Sequence, residues 1–223
     1  GLEGGMVATA VNLSPLPPEV FDAIGPYVHA CKMMGSMASQ ILGHTPKSLK
    51  VELAGGLADA DPAPLLAAVL DGGLSYRRLG AFSAANAESV ASQHGISVTT
   101  ASVRDAGEYA SSVRIVADEV EVAATLFGTE HTPRIISLMG YKIDIAPATT
   151  SLVFEYVDAP GRIGVIGTIL GEAAANITTM QIGTKPEESC ALVYMNVEGD
   201  VSEAVLDRLR GAIDLRNLWK ITL

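Results

Sequence analysis

The chain has 223 residues, of which 48% are hydrophobic and 5% aromatic, a size that fits one large domain or two small ones. Its formal net charge is −10, and the longest basic run is the pair Arg77–Arg78, so a nucleic acid partner is not expected. No stretch reaches the roughly 18 consecutive apolar residues of a membrane span, and no secretory leader is evident, so no membrane partner and a cytoplasmic location are expected.

The first region is predicted to be a mixed α+β domain. Four runs rich in Val and Ile, "SSVRIVAD", "VEVAATLFG", "PRIISLMG" and "YKIDIAP", predict an antiparallel meander at its end. Before the meander, spacing and punctuation predict a strand at 7–13, a helix at about 19–42 that ends at Gly43, a strand at 48–56, helices at 61–73 and 83–95, and a strand at 96–103.

A short hinge, "APATT" at 146–150, precedes a second region with a clearer order of elements. The strand "SLVFEYV", a helix, the strands "NITTMQIGTK" and "CALVYMNVEG", a helix capped by Ser202 and the strand "LWKITL" form a ferredoxin-like βαββαβ sequence. The strand "SLVFEYV" is predicted to lie at the sheet edge and to pair with a second copy, which gives a homodimer or a higher even oligomer.

Motifs for catalysis and cofactor binding are absent. No GxGxxG follows a strand, and there is no phosphate loop and no GxSxG elbow. Neither the two cysteines, Cys31 and Cys190, nor the four histidines have metal-ligand spacing, and the cysteines are predicted to be buried thiols. We therefore expect no catalytic residue, no metal and no cofactor in this chain.

The stretch "EYVDAPGRIG" places an acid, a proline and a glycine where a strand gives way to a helix. Gly161 lets a ligand approach the backbone, and the amides of Arg162, Ile163 and Gly164 point out of a helix N-terminus, where a carboxylate is a good partner. The carboxylate is assigned to the amides of Arg162 and Ile163. Asp158 offers a charge to an ammonium group, and the polar side chains of Tyr156 and Asn176 complete a set that suits a small amino acid. The same residues also fit a structural role, in which Asp158 caps the helix, Asn176 ends it and Tyr156 packs.

Two resemblances cover nearly the whole chain. The stretch "FEYVDAPGRIGVIGTIL", followed by "AANIT", makes residues 150–223 resemble an ACT domain. The "AVN" start, "ANAESVASQHGISV" and the strands into "GYKIDI" make residues 7–147 resemble the allosteric substrate-binding (intervening) domain of long-form D-3-phosphoglycerate dehydrogenase. The expected division is accordingly 1–147 and 148–223, in an α+β chain.

The resemblance implies feedback inhibition by L-serine, bound at a contact between two ACT domains by the positions that match Tyr156, Asp158 and Asn176. It also implies an anion site for a phosphate compound in the first domain. Arg134 matches one basic position of that site, whereas Ala146 stands in the stretch where the second is expected, so Lys142 is the substitute. The parent would be an NAD-dependent oxidoreductase whose catalytic domains are missing here.

Two other interpretations stay open. One is the β subunit of an iron-sulfur L-serine dehydratase, although "GPYVHACKMMGSMAS" stands where that family has a "PSSSHT"-like motif. The other is a free-standing amino-acid sensor translated from Met6. The first five residues read like the end of a helix, and we expect the chain to be the C-terminal part of a longer protein.

Overall fold

The computed structural model describes residues 18–74 and 82–223, so the strand predicted at 7–13 lies outside the described residues. The described helices are α1 (Pro18–Leu42), α2 (Ala63–Leu74), α3 (Ala87–Gln93), α4 (Arg162–Glu172) and α5 (Glu203–Ala212). The described strands are β1 (Ser48–Gly55), β2 (Ser97–Val103), β3 (Ser111–Ala117), β4 (Val120–Phe127), β5 (Thr132–Leu138), β6 (Tyr141–Ile145), β7 (Thr150–Val157), β8 (Asn176–Lys185), β9 (Cys190–Glu198) and β10 (Leu215–Thr222). None of these helices is long and apolar enough to cross a membrane.

The first sheet has six strands in the order β2-β1-β3-β4-β5-β6. β3 to β6 run antiparallel to their neighbours, which confirms the predicted meander, whereas β2 lies parallel to β1. In α1 the side chains of Met34 and Met37 are inaccessible to solvent. Cys31 is buried beside them as a free thiol, as expected.

Helices α1 and α2 pack closely because glycines face the opposing backbone. A Cβ atom on Gly35 would lie 2.0 Å from the carbonyl oxygen of Val69, and one on Gly72 would lie 1.9 Å from that of Lys32. Any side chain at these two glycines would therefore force the helices apart. The amide of Ala63 donates to the side chain of Asp61 at 3.0 Å, which satisfies one of the free amides at the start of α2.

The second sheet has the order β10-β7-β9-β8, with every neighbouring pair antiparallel. This is the ferredoxin-like arrangement that the element order predicted. The prediction that "SLVFEYV" forms an edge was wrong. That segment is β7, and it lies between β9 and β10 because the chain returns through α5 to add β10 on its outer side. The edges of this sheet are β10 and β8.

Both faces of the second sheet are covered. Phe154 and Val193 face α4 and α5, whereas Val153, Leu192 and Tyr194 face the other way and join the core of the first sheet. The change from one sheet to the other falls between β6 and β7, and the domain division at 147/148 stays a prediction.

The predicted hinge is hydrogen-bonded to the second sheet. The buried Asn196 donates to the carbonyl oxygen of Ala146 at 2.9 Å, and its side-chain oxygen accepts from the hydroxyl of Ser151 at 2.9 Å and the amide of Ala148 at 3.3 Å. A buried side-chain amide with these partners is costly to remove. The segment at 146–150 is therefore held against the second sheet by hydrogen bonds to Asn196.

Candidate functional site

The junction between β7 and α4 is a tight turn with an open outer side. The amide of Asp158 donates to the carbonyl oxygen of Ser189 at 3.0 Å, which holds the turn against the end of β9. Gly161 has φ +87°, a left-handed conformation in which glycine is favoured. A Cβ atom on Gly161 would meet nothing within 4 Å, so the space beside the helix N-terminus is free of other protein atoms.

The first turn of α4 has two amides without a backbone acceptor in the described part of the chain. These belong to Ile163 and Gly164, because the amide of Val165 already donates to Gly161 at 3.1 Å. The amide of Arg162 has a long contact of 3.5 Å to Ala159. The sequence predicted that the amides of Arg162, Ile163 and Gly164 point out of this helix N-terminus, and the structure leaves those of Ile163 and Gly164 without a backbone acceptor among the described residues.

Asp158 and Tyr156 occupy different environments at this junction. Asp158 is exposed, and the N-cap position of α4 is taken by Gly161 without any side-chain cap, so Asp158 is available to a ligand. Tyr156 is only 2% exposed and packs in the core beneath α4 and α5. Burial raises the pKa of its phenol, the charge of Asp158 raises it further, and that of Arg162 opposes the rise. Tyr156 therefore lies buried beneath the candidate site.

Asn176 lies at the other end of α4. The helix spans 11 residues, which corresponds to about 16 Å along its axis. Asn176 opens β8 and is exposed. Within one chain it therefore cannot share a ligand with Asp158, which agrees with the expectation that the amide comes from a second copy.

An open groove extends from the site between α4 and α5. Its volume is about 440 Å³, and its two charged residues, Glu172 and Arg208, form an ion pair across it. The groove begins at the N-terminus of α4, so the space next to the unpaired amides continues along the helix. The remaining lining residues are small or apolar: Gly161, Gly164, Val165, Thr168 and Ile169.

Arg134, one of the two residues predicted to bind an anion, already has an acidic partner within the chain. Arg134 donates to the carboxylate of Asp144 and, at 2.9 Å, to the backbone oxygen of the same residue. Lys142 is exposed on β6 and lies opposite Ser137. The charge of Arg134 is thus already partly satisfied within the chain.

Metal-binding geometry is absent from residues 18–74 and 82–223, where no three His, Cys, Asp or Glu side chains form a cluster. Burial raises the pKa of the Cys31 thiol to about 12, so that thiol is an inert core group. The thiol of Cys190 is buried as well and donates to the carbonyl oxygen of Glu188 at 3.1 Å.

Curated relatives match the chain over its whole length. D-3-phosphoglycerate dehydrogenase of Methanocaldococcus jannaschii is 25% identical over 224 residues, covering 100% of this chain and 43% of the relative. The enzyme of the same name from Mycobacterium leprae is 30% identical over 227 residues, again covering 100% of this chain and 43% of the relative. The chain therefore spans less than half the length of these relatives.

A solved structure described as "GqqA- a novel type of quorum quenching acylases" matches 59% of this chain and 56% of its own at 14% identity, with a TM-score of 0.29, and supports no argument. A family model gives a clearer result. The model described as the D-3-phosphoglycerate dehydrogenase intervening domain matches residues 23–139, just over half of the chain. The chain therefore belongs to the D-3-phosphoglycerate dehydrogenase intervening domain family.

Proposed function

We propose that this chain is the C-terminal regulatory part of a D-3-phosphoglycerate dehydrogenase and that it binds L-serine for feedback inhibition where β7 meets α4. The observation that carries the proposal is the pairing of two open amides, those of Ile163 and Gly164, with the exposed carboxylate of Asp158. The amides and the positive end of the helix suit a carboxylate, and Asp158 suits an ammonium group. A small α-amino acid carries both.

The second region acts as an ACT domain that pairs with its twin through β8. β8 has a partner on one side only among the described strands. The other edge, β10, is occupied, because the side chain of Gln40 donates to the carbonyl oxygen of Thr222 and accepts from its amide, both at 2.9 Å. Gly183 of β8 packs against Lys142 of β6, but no described strand hydrogen-bonds to the outer side of β8, which makes β8 the edge proposed for a second copy.

Twofold pairing of β8 would also bring Asn176 of a second copy to the end of the sheet at which Asp158 lies. Antiparallel strands centred between Met180 and Gln181 place Asn176 of one copy opposite Lys185 of the other. Lys185 pairs with Cys190, and Val157 pairs with Cys190 from the other side, so Asp158 follows at the same end of the sheet. The register of the sheet thus supports a site completed by two copies.

The parent protein would supply the catalytic domains and NAD. The purified chain should not reduce NAD with 3-phosphoglycerate, and turnover above background would contradict the regulatory assignment. A free-standing sensor would bind the same effector without those domains. The reading frame upstream of Gly1 distinguishes the two, because a dehydrogenase requires a GxGxxG after a strand.

The second ligand proposed for this chain is an anionic phosphate compound at Arg134 and Lys142. Such a compound must displace Asp144 from Arg134, so its binding should be weak and should fall with added salt. The Asp144→Asn variant should bind it more tightly, and Arg134→Ala should not bind it. Calorimetry with hydroxypyruvate phosphate that gives no heat for Asp144→Asn would refute this site.

Calorimetric titration of the purified chain with L-serine, glycine, L-alanine and L-leucine tests the main proposal. L-Serine should bind with saturable heat, and L-leucine should bind far more weakly because the ligand lies against the helix backbone. The oligomeric state is measured in the same samples by light scattering. Absence of L-serine binding by a dimeric, folded sample would refute the proposal.

A further inference from the structure

Arg162 is unusual among the arginines of the described ranges. Its guanidinium has no carboxylate partner and no hydrogen-bond acceptor there, and its Nε is buried without a partner. The others each lie 3.8 Å or less from a carboxylate oxygen: Arg104, Arg114, Arg134, Arg208, Arg210 and Arg216.

The position of Arg162 in its helix makes the missing partner more telling. Arg162 is the first residue of α4, and the first turn contains no acidic residue. A cation at this end meets the positive pole of the helix dipole, which is unfavourable unless an anion is nearby. Half-burial also removes part of the water that would otherwise solvate the charge. A bound anion would relieve both costs.

Arg162 and Asp158 lie close enough to the buried phenol of Tyr156 for both charges to act on it. Both charges act on the hydroxyl of Tyr156, in opposite directions. Among the described residues the two side chains nevertheless form no ion pair with each other, and Nε of Arg162 stays without a partner. An unpaired cation and an unpaired anion at one site match a ligand that carries both charges.

We propose that the guanidinium of Arg162 binds the α-carboxylate of the effector, so that the site selects zwitterionic amino acids over their amides. This rests on the proposed function and deepens it, because the carboxylate then has a charged side-chain partner besides the amides of Ile163 and Gly164. A guanidinium offers a planar fork of donors that fits a carboxylate oxygen pair. Arg162 thereby becomes a specificity-determining residue of the site.

The test removes the carboxylate charge from the ligand and the guanidinium from the protein in turn. L-Serine and L-serinamide are titrated calorimetrically into the full chain as wild type, Arg162→Gln, Arg162→Lys and Arg210→Gln. Arg210→Gln makes the same charge change on α5, where Arg210 already pairs with Glu203 and Asp207. Melting curves establish that each variant is folded.

Wild type and Arg210→Gln should prefer L-serine over L-serinamide by about tenfold or more, the effect of one charge-assisted hydrogen bond. Arg162→Gln should lower that preference by about tenfold while leaving the affinity for L-serinamide nearly unchanged. Arg162→Lys should keep an intermediate preference, because it retains the charge without the fork. If Arg162→Gln does not fold, the preference for L-serine over L-serinamide is compared between wild type and Arg162→Lys, and this comparison tests the role of the guanidinium.

An unchanged preference in folded Arg162→Gln or Arg162→Lys overturns the assignment to the guanidinium while leaving L-serine binding intact. An equal loss of affinity for both ligands does the same, because it indicates a structural role for Arg162. Wild type that binds neither ligand overturns the proposed function together with this inference.

Discussion

Tyr141 of β6 donates its hydroxyl proton to the carboxylate of Glu155 in β7 at 3.0 Å, and this bond joins the two sheets. The other carboxylate oxygen of Glu155 accepts from Asn217 at 2.7 Å. The ammonium of Lys185 lies 4.2 Å from the ring centroid of Tyr141 and donates to the carbonyl oxygen of Met139 at 2.9 Å. Asp158 of the proposed effector site comes three residues after Glu155. The site is therefore close along the chain to a contact that reaches the first sheet.

Replacing Tyr141 with Phe should destabilise the chain by about 1–2 kcal/mol, because the partly buried carboxylate of Glu155 loses one of its donors. Burial raises the pKa of Tyr141 most, and the hydrogen bond to Glu155 and the charge of Glu155 raise it further. The phenol therefore keeps its proton, and the hydrogen bond, throughout the neutral range. Urea unfolding monitored by circular dichroism gives the change. Tyr109→Phe is the matched control, since no hydrogen bond of its hydroxyl is found within the described residues. Equal effects of the two substitutions would show that the bond to Glu155 contributes nothing.

The order of elements could be read from the sequence because each one has local signals. Runs rich in Val and Ile predicted β3 to β6, and Gly43 marked the end of α1. The pairing of β7 with β10 has no local signal, since the partner lies more than 50 residues away, and β7 was therefore misplaced at the edge.

The candidate site was predictable in part. The turn at Asp158 and Gly161 follows from residue types that punctuate strand and helix ends. The guanidinium of Arg162 was missed because only its backbone amide was considered, although a cation at a helix start is itself an unusual choice. The engagement of Arg134 by Asp144 depends on β5 and β6 lying side by side, which residue type alone does not show.

Asp118 predicts how stability depends on pH. Partial burial raises its pKa, but hydrogen bonds from Lys47 and Ser48 outweigh that effect, and the net pKa is lowered. A lowered pKa adds stability that is present above the unfolded value of about 3.9 and is lost as pH falls through the folded value. The free energies of unfolding of wild type and Asp118→Asn, measured with urea, should therefore differ most at neutral pH and converge as the pH falls through the lowered folded pKa of Asp118.

Glu119→Gln supplies the control for this comparison, because it makes the same charge change at the neighbouring, exposed position. Its effect on the free energy of unfolding should stay small across the range. A difference between wild type and Asp118→Asn that does not shrink in acid would mean that the ionised carboxylate is not the stabilising form.

The β8 edge predicts where the dimer can be disrupted. Ile182 is 41% exposed on β8. If β8 of one copy pairs with β8 of the other, the two Ile182 side chains lie in the dimer interface, near the twofold axis. Ile182→Lys should weaken the dimer, since like charges approach each other across the axis. Phe127→Lys is the control, because Phe127 is 67% exposed but lies on the first sheet. Sedimentation velocity at micromolar concentration measures both, and a dimer unaffected by Ile182→Lys would place the interface elsewhere.

The final prediction concerns the ammonium group of the effector. Asp158→Asn keeps the shape of the side chain and removes its charge, so it should weaken L-serine binding by about tenfold or more, since about 1.4 kcal/mol corresponds to one decade. Asn176→Ala should weaken binding by a similar factor and also loosen the dimer, because the amide comes from the second copy. Tyr156→Phe should weaken binding less, since the side chain is buried in the core beneath the site. Asp207→Asn on α5 makes the same charge change as Asp158→Asn away from the β7–α4 turn. Calorimetric titration of L-serine into these variants measures the effect, and equal affinities of wild type and Asp158→Asn would remove Asp158 from the site.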